Sequence, residues 1–440
     1  MKLRHLLTGF ALALSLPAFA HGANAQTTNG SADAATIAQG QYLARAGDCA
    51  ACHTAPGGKP FAGGLPIQTP FGKVFTSNIT PDADTGIGNW SEQDFARLMR
   101  TGVLPSGGAV LPAMPYPSYA RVSDADMKAL YAYFHQGVQP VAQQNTPSTI
   151  PLLGIGRYPL RAWGWIFGPG AGVAETSTTS ADIGGSDAPS VARGEYLVEG
   201  LGHCGACHTT RGIGMQETAL TGTSPNYLAG GGAVDGWVAP SLRGDNATGL
   251  GRWREDDIVA LLKTGRNQHT AIFGGMNDVV ADSMQFMSDN DLHSIAKYLK
   301  SLPAQHADAA SYTYDDTQSK ALFAGDASAR GAQIYVDRCA ACHRTDGQGY
   351  ARTFPALAGN PVLQTNDPTS IIHIVLSGSR LPGIATAPSS LVMGPYAKVL
   401  NDQEIADVVT FIQTSWGNKG STVTADQVKA MRNTATPVSP

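Results

Sequence analysis

At 440 residues the chain is too long for one ordinary domain and leads to an expectation of two to four. Only 15% of it is charged, the formal net charge is −4, and glycine (51) and proline (27) are plentiful, which places much of the backbone in loops and turns. No basic stripe, phosphate loop, dinucleotide fingerprint or Ser/His/Asp set appears, which sets aside nucleic acid and the common self-contained enzyme classes.

Residues 1–25 read as a processing signal. Lys2 and Arg4 precede the apolar run "LLTGFALALSLPAFA", and two A-x-A sites follow, at Ala18–Ala20 and Ala23–Ala25. Cleavage is expected after Ala25, with Ala20 as the alternative, and the run is too short to span a bilayer. With Lys2 and Arg4 removed from the 30 basic residues, against 34 acidic ones, the exported chain carries about six net negative charges.

The first chemical motif is "GDCAACHTA", with Cys49, Cys52 and His53. It returns as "GHCGACHTT" (Cys204, Cys207, His208) and as "DRCAACHRT" (Cys339, Cys342, His343), and together the three consume all six cysteines. Disulfides are the default for an exported chain with even cysteines, but here a histidine follows each pair at once. Structural zinc would want two such pairs within roughly 15–20 residues, and a redox dithiol would want one pair beside a βαβ pattern. C-x-x-C-H is instead the attachment signature of c-type haem. Cysteines three apart share one side of a helical turn, so both sulfurs reach one porphyrin edge, and the histidine is placed to bind iron. Three covalently bound haem c groups are therefore expected.

Downstream of each motif the chain repeats a plan. "TPDADTGIGNWSEQDFARLMRTG" (Thr80–Gly102) aligns without gaps on "RGDNATGLGRWREDDIVALLKTG" (Arg243–Gly265), with Trp90 matching Trp253. Phe95, Leu98 and Met99 match Ile258, Leu261 and Leu262 at helical spacing, and "DPTSIIHIVLSG" (Asp367–Gly378) is a looser third copy. A turn-rich loop then brings one methionine per unit: Met114, Met276 and Met393, with Met284 and Met287 as alternatives in the second. A lone loop methionine is commonly core filler, but recurrence at one place in three units points to iron ligation. A terminal amphipathic helix closes each unit ("SDADMKALYAYF", "SDNDLHSIAKYLKSL", "NDQEIADVVTFIQ"), opening on Ser/Asn-x-x-Asp/Glu. A ring ligand usually donates its other N–H to a carbonyl; Pro240 ("APSL") and Pro355 ("FPAL") are placed to accept, while the first unit has Ser77 there.

The plan resembles class I cytochrome c folded three times in tandem: mainly α, with long irregular loops. "GEYLVEGLGHCGACHTTRGIGMQ", "YLAGGGAVDGWVAPSLRGDNATGLGRWREDDIVALLKTGR", "NITPDADTGIGNW", "PAMPYPSYARVSDADMKALYAYF" and "FPALAGNPV" are similar to the three-haem cytochrome c subunits of bacterial membrane-bound alcohol, sugar and gluconate dehydrogenases. That resemblance spans nearly the whole mature chain. It implies an electron-transfer subunit with no catalytic site of its own, His/Met ligation (His53 with Met114, His208 with Met276, His343 with Met393), and a catalytic partner using flavin or pyrroloquinoline quinone. A small third subunit, ubiquinone as acceptor, and peripheral attachment at the periplasmic face of the cytoplasmic membrane are also implied. Alcohol-dehydrogenase-type relatives often extend further past the third unit, and the stop at "TPVSP" favours a flavoprotein partner. A peroxidase-type haem enzyme with one open iron and a standalone soluble carrier are the competing readings.

The expected boundaries are a signal at 1–25, domains at 26–145, 191–303 and 326–418, linkers at 146–190 and 304–325, and a tail at 419–440. The first linker is apolar and aromatic around Trp163, Trp165 and Phe167, then small and polar. Its apolar half reads either as a strap across the domains or as a contact for membrane or partner, beside Arg157 and Arg161. The second linker reads as exposed. His203 and His373 read as packed or surface residues rather than ligands, and Arg211 and Arg344 as exposed charges or partners for haem propionates.

Overall fold

The computed structural model describes residues 32–69, 71–150, 157–169 and 188–435. Both signal-cleavage sites and most of the polar half of the first linker lie outside the described residues.

The first unit holds α1 (Ala34–Ala46), α2 (Cys49–His53), α3 (Glu92–Thr101), α4 (Tyr116–Tyr119) and α5 (Asp124–Ala132). Helix α6 (Pro159–Phe167) follows in the linker. The second unit holds α7 (Val191–Tyr196), α8 (Gly205–His208), α9 (Glu255–Thr264), α10 (Met276–Asp278) and α11 (Asp289–Ser301). Helix α12 (Thr317–Phe323) leads into the third, made of α13 (Ala332–Arg338), α14 (Ala340–His343), α15 (Thr369–Ser377), α16 (Asp402–Thr414) and α17 (Ala425–Arg432). Sheet is confined, among the described residues, to three antiparallel hairpins: β1 (Pro66–Thr69) with β2 (Gly72–Phe75), β3 (Ala233–Val234) with β4 (Trp237–Val238), and β5 (Ser379–Arg380) with β6 (Val392–Met393). The rest is irregular loop, as the glycine and proline content leads one to expect.

The terminal helices begin where their cap residues stand. Ser123 accepts from the Asp126 N–H and Ser288 from the Asp291 N–H, and Asn401 forms a reciprocal box with Glu404. In each unit the helix entering the haem motif crosses this terminal helix at a glycine. A Cβ on Gly40 would lie 1.9 Å from the Ala129 carbonyl oxygen, one on Gly194 1.9 Å from that of Ser294, and one on Gly331 2.2 Å from that of Asp407. These three carbonyls stand at the same position counted from the caps Ser123, Ser288 and Asn401. No side chain larger than hydrogen permits so close a crossing.

The first two units share one core. Leu43, Phe95, Met127 and Leu130 are continuous with Leu197, Leu201, Leu292 and Leu299. Two tyrosines, each one residue before a core leucine, reach across it reciprocally. The Tyr42 hydroxyl donates to Asp291 at 2.6 Å and accepts from the Ser288 N–H, and the Tyr196 hydroxyl donates to Asp126 at 2.5 Å and accepts from the Ser123 N–H. Each unit thus caps the other's terminal helix. Arg193 adds a buried, two-pronged ion pair to Asp291 at 2.8 and 3.1 Å.

The third unit closes its own core around Tyr335, Leu376, Ile405, Phe411 and Trp416. Val428 of α17 is fully buried in it and Arg432 pairs with Asp402 at 2.6 Å, so much of the segment read as a tail completes this core. A small cluster of Ile272, Val280, Leu381, Ile384 and Ala387 joins the second unit to the third. The second linker is not simply exposed. Tyr312 lies under Arg252, 4.6 Å from its guanidinium, and donates to the Trp416 carbonyl at 2.7 Å, while Leu322 enters the third core. Aromatic and apolar residues spaced singly among polar ones hid this packing from the sequence.

Candidate haem sites

In each unit the C-x-x-C-H stretch forms one helical turn with the histidine as its last residue. In the first, the Gly47 N–H returns to the Leu43 carbonyl at 2.8 Å to end α1, and Asp48 takes a left-handed conformation (φ 49°) that turns the chain into α2. The first cysteine of each pair is half-buried and the second exposed, and none is in a disulfide. Burial pushes the Cys49, Cys204 and Cys339 thiols up to about 12, the opposite of a reactive dithiol. Among the described residues no group of three or more His, Cys, Asp or Glu converges as a chelating set. A buried thiol with raised proton affinity runs against the redox-dithiol reading.

The histidines are held alike. Nδ1 of His53 lies 2.7 Å from the Ser77 carbonyl, that of His208 2.7 Å from the Pro240 carbonyl, and that of His343 2.9 Å from the Pro355 carbonyl. A carbonyl only accepts, so each Nδ1 carries the proton and each Nε2 keeps its lone pair for a metal. Burial lowers the proton affinity of all three rings, which keeps them neutral. Ser77 therefore supplies from its own backbone what proline supplies in the other units.

Three glycines complete this arrangement, and motif spacing did not reveal them. The N–H groups of Gly63, Gly230 and Gly349 donate to the carbonyls of His53, His208 and His343 at 2.8, 2.9 and 3.1 Å. All three sit at positive φ (73°, 106° and 58°). Gly63 and Gly349 also touch the acceptor loop: a Cβ would stand 2.4 Å from the Ser77 carbonyl carbon and 2.6 Å from the Pro355 oxygen. Their distances along the chain from the histidines differ in every unit, so only the glycine runs Gly63-Gly64 and Gly230–Gly232 carried a signal.

The third unit encloses an apolar cavity of about 230 Å³ that brings Cys339, Cys342, His343 and Met393 onto one wall system with Leu363, Ile374 and Val375. Met393 reaches it from β6, whose partner strand is β5. Thr270, Ala271, Ile272 and Phe273 of the second unit line the same cavity. Met114 is half-buried against the shared core of the first two units, and Met276 opens α10 and packs against the cluster of Ile272 and Val280. Met284 and Met287 are buried in the shared core.

Two carboxyls stand beside the attachment cysteines. Asp48 Oδ1 is buried without a partner; burial, then Asp282 and Asp278 of the second unit, push its carboxyl up to about 8. Glu217 Oε2 is likewise buried without a partner, close against Gly205, and burial pushes it up to about 7 despite Arg211. In the third unit Asp346 is tied by Arg344 at 2.6 Å. Arg211 donates to the Ala206 and Met215 carbonyls. His203 packs edge-on to Tyr119 at 5.8 Å, and His373 stacks on Trp237 at 4.1 Å while bonding the Gly236 carbonyl, so both are packed residues at unit boundaries.

Cysteine pairs on one helical turn, a protonated Nδ1 with its opposite nitrogen free and, in the third unit, an apolar cavity beside them fit a covalently held porphyrin. The profile of the cytochrome c family matches residues 37–137, 191–303 and 328–416. The chain is 52% identical to the gluconate 2-dehydrogenase cytochrome c subunit of Pantoea cypripedii, over 97% of this chain and 95% of that one. It is 49% identical to the cytochrome c subunit of the quinone alcohol dehydrogenase of Gluconobacter oxydans, over 98% and 88%. To the fructose dehydrogenase cytochrome subunit of Gluconobacter japonicus it is 33% identical, over 92% and 85%. The chain belongs to the cytochrome c family, as a member of its three-haem dehydrogenase subunits with haem c sites at Cys49/Cys52, Cys204/Cys207 and Cys339/Cys342.

Proposed function

We propose that this protein relays single electrons from the catalytic subunit of a dehydrogenase that oxidises an alcohol, sugar or sugar acid to ubiquinone, at the periplasmic face of the cytoplasmic membrane. The partner is a flavoprotein or a quinoprotein. The observation that carries the reading is the recurrent histidine geometry: three rings in three separate units, each with Nδ1 committed to a carbonyl. Each haem, when bound, supplies a one-electron ferric/ferrous couple. The chain's own residues hold the group through the cysteines, orient the ring, and exclude water with apolar walls. His53 with Met114, His208 with Met276 and His343 with Met393 are the proposed iron ligands, and the cavity shared by His343 and Met393 supports the third pair.

Magnetic circular dichroism of the oxidised protein tests the ligation and is expected to report three low-spin His/Met sites. One high-spin site binding cyanide rapidly would replace the relay with a haem enzyme. Co-purification with a large cofactor-bearing subunit, and substrate-dependent reduction of a ubiquinone analogue by that complex, are the outcomes expected of the relay. Isolation as a lone soluble carrier would overturn it.

A further inference from the structure

Helix α6 carries large apolar side chains on both faces, and those of the inner face are covered. Its inner face enters the groove between the first two units. The Trp163 ring lies 6.2 Å from that of Tyr116, its indole N–H donates to the Gly214 carbonyl at 2.5 Å, and Phe167 lies close against Gly214. The outer face, at helical spacing, is Tyr158, Arg161, Ala162, Trp165 and Ile166. At its start the Tyr158 hydroxyl donates to the Ser106 carbonyl at 2.9 Å and Arg161 to the Gly107 carbonyl at 3.4 Å, while, among the described residues, Trp165 and Ile166 have no such tie to the first unit's loop. Trp165 is 90% exposed and Ile166 67%, and the loop that Trp163 and Phe167 hold at Gly214 presents Ile213, fully exposed, and Met215. Apolar side chains as large as Trp165 and Ile166 are normally buried, yet these two stand in the open.

We propose that this outer face, Tyr158, Arg161, Trp165 and Ile166 with Ile213 and Met215, is the surface by which the protein lies on an anionic lipid bilayer. The charge pattern selects lipid. Residues 157–169 and 209–216 contain Arg157, Arg161 and Arg211 and no acidic residue, in a chain whose acidic residues outnumber its basic ones, 34 to 30. Exposed tryptophan and tyrosine flanked by arginine suit the headgroup boundary, where the ring enters the acyl edge and the guanidinium meets phosphate. No described helix is long and apolar enough to cross a membrane, so attachment through described residues takes place from the surface. Trp163 and Phe167 clamp the helix to both units, giving the docked face a fixed orientation to the first two haem motifs. This assignment rests on the reading that the protein works at the membrane face.

The test is flotation of the purified three-haem protein with vesicles of phosphatidylethanolamine and phosphatidylglycerol, without the dehydrogenase. Wild type is expected to float, and W165S/I166S to lose about tenfold in partitioning, with W165F/I166L restoring it. R161Q is expected to lose about fivefold on these vesicles and nothing on vesicles of phosphatidylcholine alone. Haem content and visible spectra should be unchanged in all three variants. Wild type that does not float, or W165S/I166S that floats as well as wild type, overturns the proposal. W165S/I166S that instead loses capture of the catalytic subunit assigns the face to that protein. Loss of the relay reading would show separately, as failure of substrate to reduce the haems while flotation persists.

Discussion

Units 1 and 2 bury Leu43, Leu130, Leu197 and Leu292 in one continuous core, whereas unit 3 closes a separate core around Tyr335, Ile405 and Trp416. All three use the same glycine crossing of entry and terminal helices, so the difference is not one of fold. It lies at the N-terminus of the terminal helix. Asp126 and Asp291 receive a tyrosine from the neighbouring unit, while Glu404 at the equivalent position caps only its own Asn401. In units 1 and 2 the tyrosine hydroxyl takes the cap N–H that Glu404 takes in unit 3, which leaves the aspartate carboxylate to serve as a domain joint. Two haem motifs are then carried on one rigid body, and the third is attached by a smaller apolar patch and polar contacts such as Asn360 to Thr270 at 2.9 Å.

Breaking that joint should have the largest effect. D291A leaves Arg193 buried without its carboxylate and is expected to cost about 3–5 kcal/mol. Chemical denaturation followed at the haem bands should show the loss in a transition shared by units 1 and 2, with unit 3 unmoved. A loss distributed equally over three units would mean that the cores are not independent. The tyrosines grade the same joint more finely. Y196F should cost about 1.5–3 kcal/mol, because it takes a hydroxyl from a buried carboxylate. Y42F should cost less, since Asp291 keeps both bonds to Arg193 whereas Asp126 keeps the Gln39 amide at 2.9 Å. Equal losses would argue against the ion pair as the stronger half of the joint.

Much of this was legible in sequence, and the reasons are local. The motif histidines, the helix caps at Ser123, Ser288 and Asn401, and the downstream repeat all depend on residues close together in the chain. The joint did not show, because Tyr42 and Asp291 meet across units and each alone resembles ordinary helix residues. Gly63, Gly230 and Gly349 escaped for a related reason: loops of unequal length separate them from the histidines they bond. The aromatic stretch at Trp163–Phe167 admitted two readings; Trp163 and Phe167 pack as the strap, and Trp165 and Ile166 stand exposed on the other face.

The comparison also extends to protons. Below a pH of about 8 the Asp48 carboxyl holds its proton, and above it the ionised group sets a negative charge beside the first attachment pair. Negative charge favours the ferric form, so the first haem potential should fall as pH rises through this region. Glu217 acts in the same sense on the second, around pH 7. Both slopes should stay below the about 59 mV per pH unit that full one-electron coupling allows. D48N and E217Q should each flatten one of them. Among the described residues of unit 3 no carboxylate oxygen is buried without a partner, so the third potential should show no slope from this source. Spectroelectrochemical titration from pH 6 to 9 resolves the three, and a third haem sloping as steeply as the first would remove Asp48 and Glu217 as the cause.

The smallest effect is expected where the sequence differs most visibly between the units. Ser77 stands where Pro240 and Pro355 stand, a departure that on sequence alone suggests different tuning of the first haem. Yet the acceptor for His53 is the Ser77 backbone carbonyl, at the same 2.7 Å that Pro240 offers His208, and the residue itself is exposed. S77A keeps that carbonyl and should leave the first midpoint potential within measurement error. G63A keeps Ser77 but drives a Cβ into its carbonyl carbon at 2.4 Å, at a residue already at φ 73°. It should move the potential and weaken the His53 ligand field, because the acceptor must shift. If S77A moved the potential as far as G63A, the serine hydroxyl rather than the backbone would be the group that orients His53.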